Sequence, residues 1–452
     1  MADGMTSILS RPLEAAGVEV LDFATLLDTR PMTGVQWLAI SLCALVAFLD
    51  GFDIQIASLV VPAISTDWGL APSSFGLVLA AALIGMAFAM AAIAPLGDRF
   101  GRRPLIIAGF LVVGIGSCAS AFCHSIETLI ICRLFTGLGL GASLPNATAL
   151  TSEFAPARYR SRILVAVYAN MGLGGIVGGF ITPAILEAAG WRGVFLAGGS
   201  IPFVLCVVMG LLLPESVPFM LRQAHSHRRM IPTFARMWPD IDWRTLAVQK
   251  KYGRKVRIGD VLAPLYRTST ILLWFIYTIV TFLVYLLLSW LPILLISAGW
   301  SVSEAVNGTV TLAIGGIVAG GLQGWYADKG HAIGALIASF LVSAFAFLSF
   351  AIIPPDHSIW IALIILGGVG TSGAIFAMTA LSARIYPIEI RAGGIGIAAG
   401  VARLGAVAAP IAGSVIMGWR LDPNRVLAGM AAPMIVCAIV LAIFASRFRR
   451  SE

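Results

Sequence analysis

The chain has 452 residues, 59% of them hydrophobic and only 12% charged, with a mean hydropathy of +0.94. A water-soluble globular chain is about 25% charged, so these figures exclude an ordinary soluble enzyme or binding domain. The net charge of +8 does not mark a nucleic-acid binder, because the bases gather in short connections between apolar runs, where anionic lipid is the natural partner.

Residues 1–34 hold Asp3, Glu14, Glu19, Asp22 and Asp28 and lack the basic start and apolar core of a cleavable signal. A cytoplasmic tail is expected there, with a short amphipathic helix around Val18 to Leu27. Twelve apolar runs follow, each long enough to cross a hydrocarbon core roughly 30 Å thick. They lie near 36–63, 75–96, 104–124, 127–151, 162–188, 192–213, 268–297, 305–326, 331–353, 358–383, 392–418 and 426–446. The expected fold class is all-α integral membrane, with twelve transmembrane helices in two six-helix halves, 35–221 and 268–446. A basic cytoplasmic loop, 222–267, joins them, and 447–452 forms a second cytoplasmic tail.

Asp50 and Asp53 interrupt the first span. A charge at a helix centre costs about 2.5–3.5 kcal/mol on insertion scales. At a spacing of i and i+3 the two acids share a helix face, which is expected to line a cavity for protons, cations or polar substrate. After the second span comes Gly97-Asp98-Arg99-Phe100-Gly101-Arg102-Arg103, and after the eighth comes Gly324-Trp325-Tyr326-Ala327-Asp328-Lys329-Gly330. Both place an acid, a base and a glycine in a short turn at equivalent points of each half, as a latch between helix ends would. Orientation follows from the bases. Arg99, Arg102, Arg103, Arg158, Arg160, Arg162 and the central loop lie on the side of the termini, against Arg192, Arg420 and Arg425 on the other. Both termini are therefore expected to be cytoplasmic.

Two six-span halves, a long central loop and the paired Asp-Arg/Lys turns resemble the major facilitator superfamily over essentially all of residues 35–446. The family turn opens with glycine four residues before the aspartate; Gly324 keeps it and Ala94 replaces it in the first copy. The fourth span carries Arg133-Leu134-Phe135-Thr136-Gly137-Leu138-Gly139-Leu140-Gly141. A buried arginine needs a carboxylate or carbonyl partner, snorkelling outward being the competing reading. The resemblance ties this arginine to proton coupling. Glu153, at the other end of the same span, could gate or simply sit at the interface. In the fifth span Gly175 stands where related drug/proton exporters carry proline, which leans against a drug antiporter.

Arg403 lies near the middle of the eleventh span, where a guanidinium facing a cavity suits a carboxylate held by bidentate hydrogen bonds. An internal ion pair with Asp50 or Asp53 is the competing role. Arg391, at the start of that span, belongs with the cytoplasmic interface. Gly368-x-Gly370-x-x-Gly373 spells a dinucleotide fingerprint, but within a span and with no strand before it helix packing is the better meaning. The six cysteines form no CxxC pair and the five histidines no persuasive cluster, so no metal, cofactor or catalytic chemistry is expected.

Asp50-Gly51-Phe52-Asp53 together with Arg133, Glu153, Asp328, Arg391 and Arg403 resembles the aromatic acid/proton symporter branch of that superfamily. The resemblance implies a monomeric carrier of the inner membrane, not an enzyme. It would import benzoate-like anions such as hydroxybenzoates or protocatechuate with protons, by alternating access. Asp50, Asp53, Arg133 and Glu153 would couple protons, the two aspartates as an interacting pair. Arg403, with Arg133 as second candidate, would hold the carboxylate. Phe52, Tyr168, Tyr285, Trp290 and Phe376 could wall the ring, with helix packing the competing role of each. Asp98, Arg99, Arg102, Asp328, Lys329 and Arg391 would form the conformational latch. Another organic acid, a sugar or a drug is the alternative cargo.

Overall fold

The computed structural model describes residues 20–222, 232, 234–241, 247–249 and 258–448. Lipid offers no partner to a backbone amide, so an apolar run there closes its own hydrogen bonds as a helix. The first half contains α1 (Phe23–Thr29), α2 (Gly34–Trp68), α3 (Gly76–Ala92), α4 (Arg102–Ser120), α5 (Ile126–Phe154) and α6 (Ala157–Leu212). The second contains α7 (Arg267–Ser297), α8 (Val302–Asp328), α9 (Ala332–Ser349), α10 (His357–Gly370), α11 (Ser372–Ile385), α12 (Ile388–Gly418), α13 (Pro423–Gly429) and α14 (Ala431–Phe448). Local signals set several ends. Thr33 and Gln36 cap α2 reciprocally, and Ser125 caps α5 by accepting from the Thr128 amide.

Among the described residues eleven helices are long and apolar enough to cross a membrane. The twelfth is inside α6, whose 56 residues are interrupted at Gly190, where φ is 66° and ψ −175°. Unbroken, that helix would run about 84 Å, far more than a bilayer core. The left-handed glycine splits it into two crossing arms, and Trp191 Nε1 and Arg192 Nη1, each 3.1 Å from Asp67 Oδ2, tie the bend to the end of α2. Thr371, with φ −93° and ψ −91°, breaks the tenth span into α10 and α11.

Within the first half α2 packs along α6, and α3 and α4 pack on α5; in the second α7 packs on α12, α8 on α10 and α11, and α9 on α14. Small residues allow the closest approaches. A Cβ at Gly137 or Gly141 would strike the Ala82 or Met86 carbonyl of α3, and one at Gly139 the Gly109 carbonyl of α4. Gly368, Gly370 and Gly373 likewise face Leu312, Ser339 and Ala319, so the apparent fingerprint is helix packing. The halves meet through α2 with α7, α6 with α8, and α3 with α12. Contacts joining them lie at the end away from the termini: Leu59 packs with Val306 and Val310, and Ser414 Oγ donates to the Ser73 carbonyl.

At the opposite end Val20–Asp22 (β1) pairs in parallel with Ala247–Gln249 (β2). Of the expected helix around Val18–Leu27, Val18 and Glu19 lie outside the described residues, Val20–Asp22 are extended for this pairing, and the helix begins at Phe23. Arg30 Nη1 lies 2.8 and 2.6 Å from the two Asp240 carboxylate oxygens, which holds the Asp240 carboxyl below the usual carboxylate range. Leu26, Leu27, Phe234, Met237 and Trp238 are buried together against the first half. The described part of the segment linking the halves is thus strapped to the first of them.

Candidate functional site

α2 carries both acids halfway along its length, and its two neighbours separate them. Residues i and i+3 differ by roughly 60° around a helix, enough to give the acids different partners. Asp53 Oδ1 accepts from Arg133 Nη1 at 3.0 Å and from Ser117 Oγ at 3.3 Å. Arg133 is 0% exposed, turned inward rather than snorkelling. Its Nη2 donates to Ser117, Ser120 and Thr136 hydroxyls at 3.1 Å each, its Nε to Ser120 at 3.3 Å, and its guanidinium lies 4.8 Å from the Phe195 ring centroid. Every hydrogen-bond partner of the guanidinium among the described residues comes from the first half. Ser117, Ser120, Thr136 and Phe195 were not anticipated; two serines one turn apart in an apolar span were the signal that could have shown them.

Asp50 is only 1% exposed, and neither of its carboxylate oxygens has a hydrogen-bond partner among the described residues. Its charged neighbours are Arg403, from the other half, and Asp53. Arg403 is half-buried at the middle of α12 and donates from Nη1 to Tyr285 Oη of α7 at 2.9 Å. Tyr285, Asp50 and Tyr168 are its electrostatic neighbours, and Tyr168 is 44% exposed, with its hydroxyl 3.3 Å from Thr148 Oγ1. A guanidinium offers five N–H groups. Among the described residues Arg403 uses one of them on a side chain, so its fork is open to an anion. α2, α6, α7 and α12 thus bring Asp50, Tyr168, Tyr285 and Arg403 together where the halves meet.

Two of the expected ring-wall residues are elsewhere. Phe52 is stacked on Phe48 and fills the space beside Gly178 and Gly198, deep in the α2–α6 packing. Trp290 is 1% exposed, donates from Nε1 to the Pro410 carbonyl at 3.1 Å and lies under Gly413, where it seats α7 on α12. Of Phe376, only the backbone is described.

Glu153 is not with the acids of α2. Its Oε1 lies 3.1 Å from Arg102 Nη2, which is also 3.4 Å from Asp98. Glu215 Oε1, absent from the sequence reading, accepts from the backbone amides of Arg102, Arg103 and Ser216 at 2.9, 3.2 and 2.8 Å. Gly101 turns the chain at φ 101°, and Gly330 does the same in the second copy at φ 92°, which accounts for the glycine in each repeat. Arg99 stacks on Phe100, and Lys329 Nζ sits 3.5 Å from the Trp325 ring centroid. The side chains of Asp328 and Arg391 lie outside the described residues. Among the described residues no cluster of His, Cys, Asp or Glu could hold a metal ion.

Two helical halves with a charged site between them define a membrane carrier. The family model described as the Major Facilitator Superfamily matches residues 43–366. The chain is 31% identical over 423 residues to the 4-hydroxybenzoate transporter PcaK of Pseudomonas putida, covering 93% of this chain and 94% of that protein. It is 32% identical to the protein of the same name from Pseudomonas aeruginosa, covering 92% and 94%. To the gallate transporter of Pseudomonas putida it is 28% identical, covering 96% of each. A solved bacterial homologue of the human lysosomal transporter Spinster superposes with a TM-score of 0.69 at 16% identity, covering 92% of this chain and 96% of that one. The chain belongs to the Major Facilitator Superfamily and, within it, to the aromatic-acid transporter family; it is a transporter and not an enzyme.

Proposed function

We propose that this protein imports an aromatic carboxylate together with protons across the cytoplasmic membrane, as a monomer, by alternating access at the Asp50–Arg403 site. The observation that carries this reading is a buried carboxylate without hydrogen bonds beside an arginine whose fork is open, on opposite halves of the molecule. In the empty carrier the two charges offset one another. An incoming carboxylate takes Arg403 for itself by charge-assisted hydrogen bonds. Asp50 would then be an uncompensated buried charge, worth several kcal/mol, unless it takes up a proton. Anion and proton therefore favour each other's binding, and by linkage the effect is reciprocal. Asp53, hydrogen-bonded to Arg133, positions α2, and the proton goes to Asp50, whose carboxylate meets no donor among the described residues.

Tyr285, hydrogen-bonded to Arg403, and Tyr168, its electrostatic neighbour, supply aromatic faces and hydroxyls for a benzoate-like ring. Arg102 with Asp98, Glu153 and Glu215 supports a latch at the cytoplasmic helix ends. With the termini cytoplasmic, as the Arg and Lys distribution supports, the contacts between halves close the outer end of the carrier. Uptake of labelled 4-hydroxybenzoate tests the reading. It should fall with a protonophore and in Asp50→Asn, and uptake indifferent to both would overturn it.

A further inference from the structure

Cys123 and Cys132 serve no part of the transport site, yet their sulfurs are in contact at 3.6 Å. Cys123 follows the end of α4, 5% exposed, with its thiol 3.5 Å from the Ala119 carbonyl; Cys132 lies in the second turn of α5. The two therefore join α4 to α5 across their tight connection. They also bracket Arg133. Cys132 is its chain neighbour and its carbonyl accepts from Thr136 Oγ1 at 3.0 Å, while Ser120, three residues before Cys123, takes two of the guanidinium hydrogen bonds. A disulfide needs about 2.05 Å between sulfurs, and rotation about the Cα–Cβ bonds carries sulfurs already in contact at 3.6 Å toward that distance.

We propose that Cys123 and Cys132 are a redox-active dithiol that closes to an intramolecular disulfide on the outer face of the membrane. The proposal rests on the topology given above, which puts this hairpin in an oxidising compartment. The oxidant is a low-molecular-weight or protein disulfide, R–S–S–R. One cysteine thiolate attacks a sulfur of the oxidant and releases one R–SH. The second thiolate then displaces the other R–S group, so that two cysteine thiols are oxidised, one disulfide is reduced to two thiols, and protons balance. The new bond pins together the two helices that supply Ser117, Ser120 and Thr136 to Arg133.

The test uses the full chain in right-side-out and inverted membrane vesicles treated with oxidised glutathione, which does not cross the membrane. After denaturation, all remaining thiols are alkylated with a maleimide and the peptides weighed. The expected result is that, in right-side-out vesicles, the peptide carrying Cys118, Cys123 and Cys132 takes up one maleimide in place of three, without a glutathione adduct. The purified oxidised carrier should also melt several degrees higher, a shift absent from Cys123→Ser and Cys132→Ser. Three maleimides, or a glutathione adduct without ring closure, in both vesicle types would overturn the dithiol and leave the topology standing. Closure confined to inverted vesicles would overturn the topology and the outer-face assignment with it.

Discussion

Replacing Asp53 by Asn separates the two acids of α2 more sharply than any other change. Arg133 is 0% exposed and takes its carboxylate contact from Asp53 at 3.0 Å. Removing one partner of a buried pair costs about 3–5 kcal/mol, because the other charge is left uncompensated. Arg133 keeps the hydroxyls of Ser117, Ser120 and Thr136 and the Phe195 ring, which places the loss near the lower end, about 3 kcal/mol. Asp50→Asn removes a carboxylate that no donor meets but leaves Arg403, half-buried and hydrogen-bonded to Tyr285, short of its counter-charge, so its loss should be smaller, about 1–2 kcal/mol. Thermal melts of the purified carriers in one detergent, followed by tryptophan fluorescence, read both. Asp53→Asn should melt below Asp50→Asn, and adding Arg133→Gln to Asp53→Asn should recover part of the loss, the coupling that a double-mutant cycle isolates. If Asp53→Asn melts with the parent while Asp50→Asn falls, the division of roles between the acids is wrong.

Other consequences follow from the same geometry. With one proton per anion, affinity for 4-hydroxybenzoate should fall about tenfold per pH unit wherever empty Asp50 is ionised; Asp50→Asn, fixed in the uncharged form, should bind with a flat pH profile in calorimetry. Arg403→Lys keeps the charge but loses the planar fork, and at about 1.5–3 kcal/mol for a charged hydrogen bond should weaken binding roughly tenfold to a hundredfold. Tyr285→Phe removes the hydroxyl that Arg403 meets among the described residues and should cost less than Arg403→Lys in the same titration. Gly51→Ala would drive a methyl into the Met171 carbonyl of α6 and should abolish monodisperse protein on size exclusion, whereas Gly400→Ala, which meets nothing within 4 Å, should elute as the parent does.

The span count, the two halves and the repeated turns were legible in the sequence because each rests on local composition: twenty apolar residues, a base cluster, a glycine after an acid. The fifth and sixth spans were separable as well, because Glu187 and Arg192 flank the break at Gly190. Side-chain partners were legible only as needs. The sequence shows that Arg133 requires a carboxylate, but whether Asp50 or Asp53 supplies it depends on a 60° offset and on where α5 crosses α2. The same limit misplaced Phe52 and Trp290. Phe52, beside Asp53 in sequence, points elsewhere on its helix, and Gly178, Gly198 and Gly413 open the slots that receive the two rings. Glu215 was missed because it acts on backbone amides of a turn more than a hundred residues earlier, a contact that no periodicity encodes.

Charge balance at the site makes one more prediction, about the driving force. Asp53 and Arg133 neutralise one another throughout, so the charge of the moving site is set by Asp50, Arg403 and their ligands. The empty site, with Asp50 ionised, is neutral, and so is the site holding one anion and one proton. Anion without proton, or proton without anion, leaves a charge uncompensated, and buried once the site closes to reorient. At about 3–5 kcal/mol such states are some hundredfold to a few thousandfold rarer, which suppresses leak of either ligand alone. Both reorienting forms therefore cross the membrane without net charge. Accumulation of 4-hydroxybenzoate in proteoliposomes should then follow the pH gradient and ignore the membrane potential. Nigericin with potassium, which dissipates the pH gradient, should abolish it, while valinomycin with equal potassium on both sides should leave it intact. Loss of accumulation with valinomycin alone would mean that a charged form moves, and the one-proton balance at Asp50 would fail.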